Sequence, residues 1–242
     1  MTSTVPSNER LIVALDVPSI NEARDLVGLL GNKVCFYKVG LELFLSGDVF
    51  EFLAWLSDKN KKIFVDLKFF DVPATVARAM QQLQGLNITF ATVHGNDSML
   101  QAAAEVTGDV GVLAVTALTS LDRGDLDDLG FKCDVDDLVC SRARRAVEHG
   151  CVGVVASGHE TSIIRKHLDG DLIIVVPGIR PIDNKDDQKR TVTASQAFHD
   201  GADYIVVGRP IRDSKNPSIS ADTIQEEIAK ALNSRILNEA KA

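Results

Sequence analysis

Short, almost continuously apolar runs alternate with longer polar and amphipathic segments along the whole chain. Eight of these runs are rich in β-branched residues, and they span 11–17, 34–40, 61–69, 87–95, 111–118, 152–158, 172–179 and 204–211. Runs of this kind are typical of strands that are buried on both faces of a parallel sheet. The pattern therefore predicts eight parallel strands.

Several of the intervening segments have the spacing and the end signals of helices. Ser19, with Glu22 three residues later, indicates a capping box, and Pro73 suits a first helical turn. Gly150 and Gly201 come just before a strand, where helices often end. The predicted helices span 19–30, 73–86, 134–149, 160–168, 193–200 and 218–235.

Eight strand-then-helix units in a chain of 242 residues favour a (β/α)8 TIM barrel over a doubly wound open sheet. No G-x-G-x-x-G follows the first strand, and no Ser/Gly/Pro-rich linker divides the chain. We predict a single (β/α)8 barrel domain over 1–242, with flexible tails at 1–9 and 236–242. The long connections 119–133 and 180–191 follow strands five and seven, where barrels carry active-site loops.

Composition narrows the class of protein. Hydrophobic residues make up 45% of the chain and charged residues 25%, which is ordinary for a globular protein, and the net charge of −8 argues against a nucleic-acid binder. The four cysteines lack C-x-x-C or zinc-site spacing and fit free thiols in a reducing compartment. No secretory signal and no apolar run of roughly 20 residues is visible. We expect a cytoplasmic protein with no nucleic-acid or membrane partner.

Polar side chains collect at the predicted C-terminal ends of the strands, where barrel enzymes carry their active sites. They are Asp16, Lys38, Asp66, Lys68, His94, Thr116, Thr119, Arg180 and Arg209. Asp66 and Lys68 are two residues apart on strand three, so their side chains should point the same way, whereas Asp71 lies past the strand. The segments PGIRP (177–181) and VVGRP (206–210) indicate a phosphate site after strands seven and eight, where the Gly208 backbone and the Arg209 side chain would contact the phosphate.

The residues alone leave several interpretations of these charges open. An ion pair could fasten the strand end, with Asp71 as a helix N-cap. Two acids and two lysines in a partly dry cleft are costly to bury, which favours a functional cluster. Asp16, Asp66 and Asp71 could hold Mg²⁺, although the lysines would repel it. A Schiff-base role for Lys68 is disfavoured because carboxylates favour its ammonium form. His94 suits a site or a structural role equally.

The segment DLKFFDVPAT (66–75) fits the pattern D-x-K-x-x-D-[IV]-[GP]-x-T throughout. Further matching pieces follow in order: ALDV (14–17), YKVG (37–40), VHG (93–95), VTALTS (115–120), PGIRP (177–181), DQKR (187–190) and VVGRPI (206–211). Together they resemble the orotidine 5′-monophosphate decarboxylase family, in its shorter bacterial form, over about residues 10–235.

The resemblance implies a (β/α)8 barrel that converts orotidine 5′-monophosphate to UMP and CO₂, in the last step of de novo pyrimidine synthesis, with no metal or organic cofactor. It implies that Lys68 gives a proton to C6 of the pyrimidine and that Asp66 lies near the substrate carboxylate. Lys38 and Asp71 complete the charged network. In this family the Asp71 and Thr75 positions serve the site of the neighbouring subunit, which implies a homodimer.

The remaining contacts that the resemblance implies are with the rest of the nucleotide. They are Asp16 and Lys38 for the ribose, Thr119 for the pyrimidine, and Arg180, Gln188, Arg209 and the backbone of Gly208 for the phosphate. Related enzymes that act on sugar phosphates with Mg²⁺ share D-x-K-x-x-D but carry a glutamate where this chain has Lys38. They form the second hypothesis, and a non-catalytic barrel that senses UMP forms a third.

Overall fold

A closed barrel of parallel strands forms the centre of the protein in a computed structural model that describes residues 5–168, 172–180 and 191–239. The strands are β1 (Leu11–Ala14), β2 (Phe36–Gly40), β3 (Lys62–Phe69), β4 (Phe90–His94), β5 (Gly111–Val115), β6 (Gly153–Val155), β7 (Ile173–Val176) and β8 (Tyr204–Val207). Each strand pairs with its neighbours in chain order, and β8 closes on β1. The predicted (β/α)8 barrel is confirmed.

Helices surround the barrel and cover the outward faces of the strands. They are α1 (Ile20–Leu30), α2 (Leu41–Phe44), α3 (Val49–Asp58), α4 (Pro73–Gln81), α5 (Asp97–Val106), α6 (Arg123–Asp128), α7 (Val135–Glu148), α8 (Gly158–His167), α9 (Ala194–His199), α10 (Arg209–Arg212) and α11 (Pro217–Glu239). Ser19 caps α1 as predicted, because its hydroxyl accepts a hydrogen bond from the Glu22 backbone N–H.

The helix predictions differ from the structure in several places. The segments that form α2, α3, α5, α6 and α10 were not predicted to be helical. Helix α4 ends at Gln81 rather than near 86, because Gly85 and Asn87 have positive φ angles that a helix cannot continue. Helix α11 continues to Glu239 instead of ending near 235.

Alternate residues of each strand fill the interior of the barrel. This inner cluster includes Ile12, Phe36, Phe64, Phe90, Leu113, Val175, Tyr204 and Val206. The other residues of the strands pack outwards against the helices. The lower barrel is therefore a solid apolar core, and only its upper end is available for chemistry.

The inward positions change from apolar to polar at the upper end of four adjacent strands. In each of these strands a polar residue follows two positions after an inward apolar residue. These polar residues are Asp16 beyond β1, Lys38 on β2, Asp66 on β3 and Thr92 on β4. The period of two along a strand thus places these side chains on top of the core. Six of the eight strands end earlier than predicted, so Asp16 and Thr116 lie just past β1 and β5.

The first described residues lie against the lower end of the barrel. Residues Ser7–Glu9 form a 3-10 turn, and Glu9 forms an ion pair with Lys62 at the start of β3. The predicted flexibility of segments 1–9 and 236–242 stays a prediction, and residues 1–4 and 240–242 lie outside the described ranges. Within those ranges, none of the helices has the length and apolar character that crossing a membrane requires.

Candidate active site

A cavity of about 310 Å³ opens at the C-terminal ends of the strands. Its volume is in the range of pockets that hold small molecules. The predicted site residues that line it are Asp16, Lys38, Asp66, Lys68, Thr119, Arg180, Gly208 and Arg209. The structure therefore brings together residues from six parts of the chain that are far apart in sequence.

Acids and lysines alternate along one wall of this cavity. The Nζ atom of Lys38 lies 2.9 Å from Oδ1 of Asp16 and 3.6 Å from Oδ2 of Asp66. The Nζ atom of Lys68 lies 2.9 Å from Oδ1 of Asp66. We call Asp16, Lys38, Asp66 and Lys68 the charged row. Each of its two ammonium groups donates a hydrogen bond to a carboxylate, so each side chain of the row is held in place by a neighbour of opposite charge.

Asp66 is the central and most constrained acid of the charged row, with only 12% of its side chain exposed. Burial alone would raise its pKa. The positive charges of Lys38 and Lys68, with hydrogen bonds from Lys68 and Thr92, outweigh burial and hold the pKa of Asp66 below its usual range. Asp66 is therefore a carboxylate at neutral pH, and it stabilises the ammonium of Lys68 in turn.

A glycine makes room for the charged row. A Cβ atom at Gly40 would lie 2.9 Å from Nζ of Lys38 and 3.1 Å from Oδ1 of Asp16. Gly40 also pairs in register with Asp66 on the neighbouring strand. A side chain at position 40 would therefore push the Lys38 ammonium and the Asp16 carboxylate from these positions.

Lys68 is unusual in its backbone as well as in its side chain. Its φ angle is +50°, in the left-handed region that lysine rarely adopts. Its N–H donates to Oγ1 of Thr92 on β4, at 2.9 Å. The prediction that Asp66 and Lys68 share a direction by simple alternation therefore omitted an irregularity in β3, although their side chains do meet.

Asp71 and Thr75 lie apart from the charged row in their own chain, and neither is among the described residues that line the cavity. Asp71 is exposed, and its carboxylate accepts a hydrogen bond from the Val72 N–H at 2.6 Å. Its neighbours Phe70 and Val72 are 64% and 63% exposed. The possible helix-capping role of Asp71 is wrong, because Val72 is the N-cap of α4.

Three arginines approach the cavity from the side opposite β3 and β4. Arg180 follows β7 and is buried, whereas Arg209 begins α10 directly after Gly208. Arg212 also lines the cavity, and its guanidinium donates to the backbone carbonyl of Asp16. Sequence reasoning missed Arg212, although its position in the same turn as Arg209 was a usable signal. Gln188 lies outside the described residues.

Arg142 on α7 supports the loop after β5 that carries Thr119. Its guanidinium donates to the carbonyl of Thr116 at 2.6 Å and to the side-chain oxygen of Asn96 at 3.4 Å. Sequence reasoning missed Arg142, because an arginine on an amphipathic helix suggests a solvent-facing residue. The Thr116 hydroxyl itself is buried and donates to the Val155 carbonyl.

His94 does not line the cavity; its ring packs on Phe70 at 4.7 Å between centroids. Burial lowers its pKa, and the positive charges of Arg142 and Lys68 lower the pKa further. The neutral ring therefore has a packing contact that accounts for its position.

The acids are not arranged as the Mg²⁺ hypothesis requires. Asp16 and Asp66 bind the ammonium groups of the charged row, and Asp71 is exposed elsewhere. Over the ranges that the structure describes, no group of three or more His, Cys, Asp or Glu side chains is placed to hold a metal ion. The donor set of the charged row fits an anion or a proton transfer better than a cation.

The fold and this site together define a class, that of a TIM-barrel enzyme with an acid–lysine row and an arginine-lined anion pocket. Comparison with known proteins identifies the family. Residues 9–224 match the model of the orotidine 5′-phosphate decarboxylase / HUMPS family, and the chain belongs to this family.

Individual relatives agree with the family assignment. An orotidine 5′-phosphate decarboxylase of Methylococcus capsulatus (strain Bath) is 59% identical over 226 residues, which cover 93% of each chain. One from Xanthomonas euvesicatoria is 51% identical over 229 residues, covering 93% of this chain and 94% of the relative. The crystal structure of orotidine 5′-phosphate decarboxylase from Lactobacillus acidophilus is 32% identical, with a TM-score of 0.81, over 91% of this chain and 99% of that chain.

Proposed function

We propose that this chain decarboxylates orotidine 5′-monophosphate to UMP and CO₂, the closing step of de novo pyrimidine biosynthesis, with Lys68 as the proton donor to C6. The observation that carries the proposal is the charged row on one wall of a cavity whose other side presents Arg180 and Arg209. The high identity to curated decarboxylases supports the same substrate.

The chemistry needs a cation next to the reacting carbon. As the bond from C6 to the carboxylate carbon breaks, its electron pair stays on C6, and CO₂ leaves. The Lys68 ammonium stabilises the negative charge that develops on C6 and then transfers a proton to this carbon. The resulting amine regains a proton from water. Asp66 holds the ammonium in place at 2.9 Å until that transfer.

Lys38 distinguishes this reaction from the metal-dependent chemistry of the related sugar-phosphate enzymes. Its ammonium lies between Asp16 and Asp66, in the place where a divalent cation would need to bind. A cation there would face a positive charge at close range. We therefore infer that the enzyme works without a metal or an organic cofactor, with Lys38 orienting Asp66 and, with Asp16, contacting the ribose.

The opposite side of the cavity suits the phosphate of the nucleotide. Arginine is the side chain that binds phosphate oxygens in pairs, and barrels often place a phosphate site after strands seven and eight. We assign this role to Arg180, Arg209 and the Gly208 backbone, with Gln188 from the adjoining loop. Thr119 is assigned to the pyrimidine.

We further infer a homodimer in which Asp71 and Thr75 complete the site of the partner subunit. Asp71 is exposed between two exposed apolar side chains, Phe70 and Val72. Leu41 and Leu45, after β2, are also 58% and 80% exposed. Exposed apolar surface of this kind often marks a protein–protein interface. The four free thiols support a cytoplasmic location.

Turnover of orotidine 5′-monophosphate in the presence of EDTA tests the reaction, with the change in pyrimidine absorbance as the readout. We expect turnover by the unaltered protein and by Lys62→Ala, a lysine at the other end of the same strand. Lys68→Ala should lose turnover but still bind UMP. Turnover that EDTA abolishes would contradict the metal-free reaction, and near-normal rates in Lys68→Ala would contradict the proton-donor role.

Mixing two inactive variants tests the shared site. Asp71→Ala and Lys68→Ala each damage both sites of a homodimer, whereas a mixed dimer has one intact site. Random exchange at equal amounts makes half of the dimers mixed, so about a quarter of the original activity should return. No recovery, with subunit exchange demonstrated by differently tagged chains, would show that Asp71 serves its own subunit.

A further inference from the structure

The pairing between β3 and β4 contains an insertion at the charged row. Val65 pairs with Ala91, and the next pair along is Phe69 with Val93. Three residues of β3, Asp66 to Lys68, therefore lie opposite the single residue Thr92. Strand bulges of this kind redirect side chains and are frequent next to active sites.

Thr92 contacts the irregular segment at two points. Its hydroxyl oxygen accepts the N–H of Lys68 at 2.9 Å, and its hydroxyl proton is donated to Oδ1 of Asp66, also at 2.9 Å. The same Oδ1 atom accepts the Lys68 ammonium. One hydroxyl thus connects the backbone of the proposed proton donor with the carboxylate that holds its side chain.

Thr92 is completely buried on the inward face of β4, next to the apolar interior. A buried hydroxyl is costly unless both its donor and its acceptor capacity are used, and here both are used. An apolar side chain of the same shape would pack equally well. It would leave the Lys68 N–H without its partner and Asp66 with one hydrogen bond fewer.

We propose that Thr92 is a positioning residue for the decarboxylation, which holds Lys68 in its left-handed backbone conformation and fixes the Asp66 carboxylate against its ammonium. The inference rests on the proposed role of Lys68. Thr92 acts through these two residues, and it is not among the described residues that line the cavity.

Two substitutions separate the hydroxyl from the shape of the side chain. Thr92→Val keeps the branched shape and removes both hydrogen bonds, whereas Thr92→Ser keeps the hydroxyl. We expect Thr92→Val to lower kcat by at least about tenfold, because a buried N–H loses its partner at the reacting group. Affinity for UMP should change less than about threefold, and Thr92→Ser should stay near the original kcat.

The pH profile gives a readout that a packing defect would not change. The ionised form of Asp66 accepts the Thr92 hydrogen bond, so its loss disfavours the carboxylate and raises the pKa of Asp66. The acid limb of kcat/KM should therefore move to higher pH in Thr92→Val only. Thr161→Val is the matched control, because it removes an equally buried hydroxyl on α8, which donates to the carbonyl of the N-cap residue Ser157.

Several outcomes overturn the inference. One is a Thr92→Val variant whose kcat and whose acid limb of kcat/KM are both unchanged while Lys68→Ala is inactive. Another is an equal loss of kcat in Thr92→Ser and Thr92→Val. If Lys68→Ala itself turns over normally, the proposed role of Lys68 fails first, so the two failures are distinguishable. If Thr92→Val does not fold, the same measurements are made on Thr92→Cys, whose S–H group is a weak donor. We expect its kcat to lie between those of Thr92→Ser and Lys68→Ala, and an unchanged kcat would again overturn the inference.

Discussion

Replacing Lys38 with methionine isolates the contribution of one ammonium to the charged row. Methionine has a similar length and no charge, so the main change is the loss of the contacts 2.9 Å from Asp16 and 3.6 Å from Asp66. Only 11% of the Lys38 side chain and 12% of the Asp66 side chain are exposed, so water screens their interaction weakly. Asp66 would keep Lys68 and Thr92 as partners.

The magnitude follows from the distance. At 3.6 Å and an effective dielectric constant near 20, the attraction between Lys38 and Asp66 is about 5 kcal/mol. Removing the ammonium also removes its own cost of burial, which offsets part of that loss. We expect the free energy of unfolding to fall by about 2 kcal/mol and the thermal midpoint by about 5 °C at neutral pH.

The assay is thermal unfolding followed by circular dichroism, with Lys33→Met as the control. Lys33 pairs with Asp222 on the surface, where the side chains are 42% and 45% exposed, and such pairs contribute less than about 1 kcal/mol. The lowered pKa of Asp66 sets the pH dependence, because its carboxylate stabilises the fold above the ordinary aspartate pKa, and that stability is lost as pH falls through the lowered value. The deficit of Lys38→Met should therefore shrink in acid. A deficit equal to that of Lys33→Met, or one that does not depend on pH, would contradict this prediction.

Two further substitutions test the surroundings of the site. Gly40→Ala should reduce kcat/KM by about tenfold or more, because its Cβ would displace the Lys38–Asp16 pair. The control is Gly28→Ala on the exposed face of α1, where no atom lies near the new Cβ, and it should stabilise the fold by up to about 1 kcal/mol. Equal kcat/KM values in the two variants would contradict the role of Gly40. Arg142→Lys should raise KM about three- to tenfold with a smaller change in kcat, because lysine cannot hold both the Thr116 carbonyl and the Asn96 side chain. Steady-state kinetics test the Arg142 prediction, with Arg144→Lys as the control because Arg144 is an exposed arginine of the same helix. Equal KM values in the two variants would contradict the prediction.

The barrel was predictable because burial on both faces leaves a direct mark in the sequence. A strand between an apolar interior and a layer of helices has no polar face, so all eight strands are near-continuous apolar runs. Helix α3 carried an equally clear mark that was not used. Its buried residues Val49, Phe52, Leu53 and Leu56 have the spacing of one helical face.

The ends of the strands were less predictable, because burial continues where strand pairing stops. Leu15 and Val17 are buried although β1 ends at Ala14. The loops at the rim of a barrel pack into the same core, and an apolar pattern does not distinguish them from strands. The predicted strand ends therefore extended beyond the paired residues at the rim where the site lies.

The geometry of Lys68 could not be read from the sequence at all. A positive φ is expected at glycine, asparagine or aspartate, and lysine carries no such signal. Left-handed backbone costs on the order of 1–3 kcal/mol and persists only where the surroundings enforce it. Here the enforcing contacts come from β4, through the Thr92 hydroxyl, and from Asp66, through the ammonium. Because one hydroxyl contacts both the Lys68 backbone and the Asp66 carboxylate, a change in the pairing of β3 with β4 would displace the acid and the lysine together. The alignment of the charged row is therefore a property of the barrel wall, and spacing along β3 alone does not determine it.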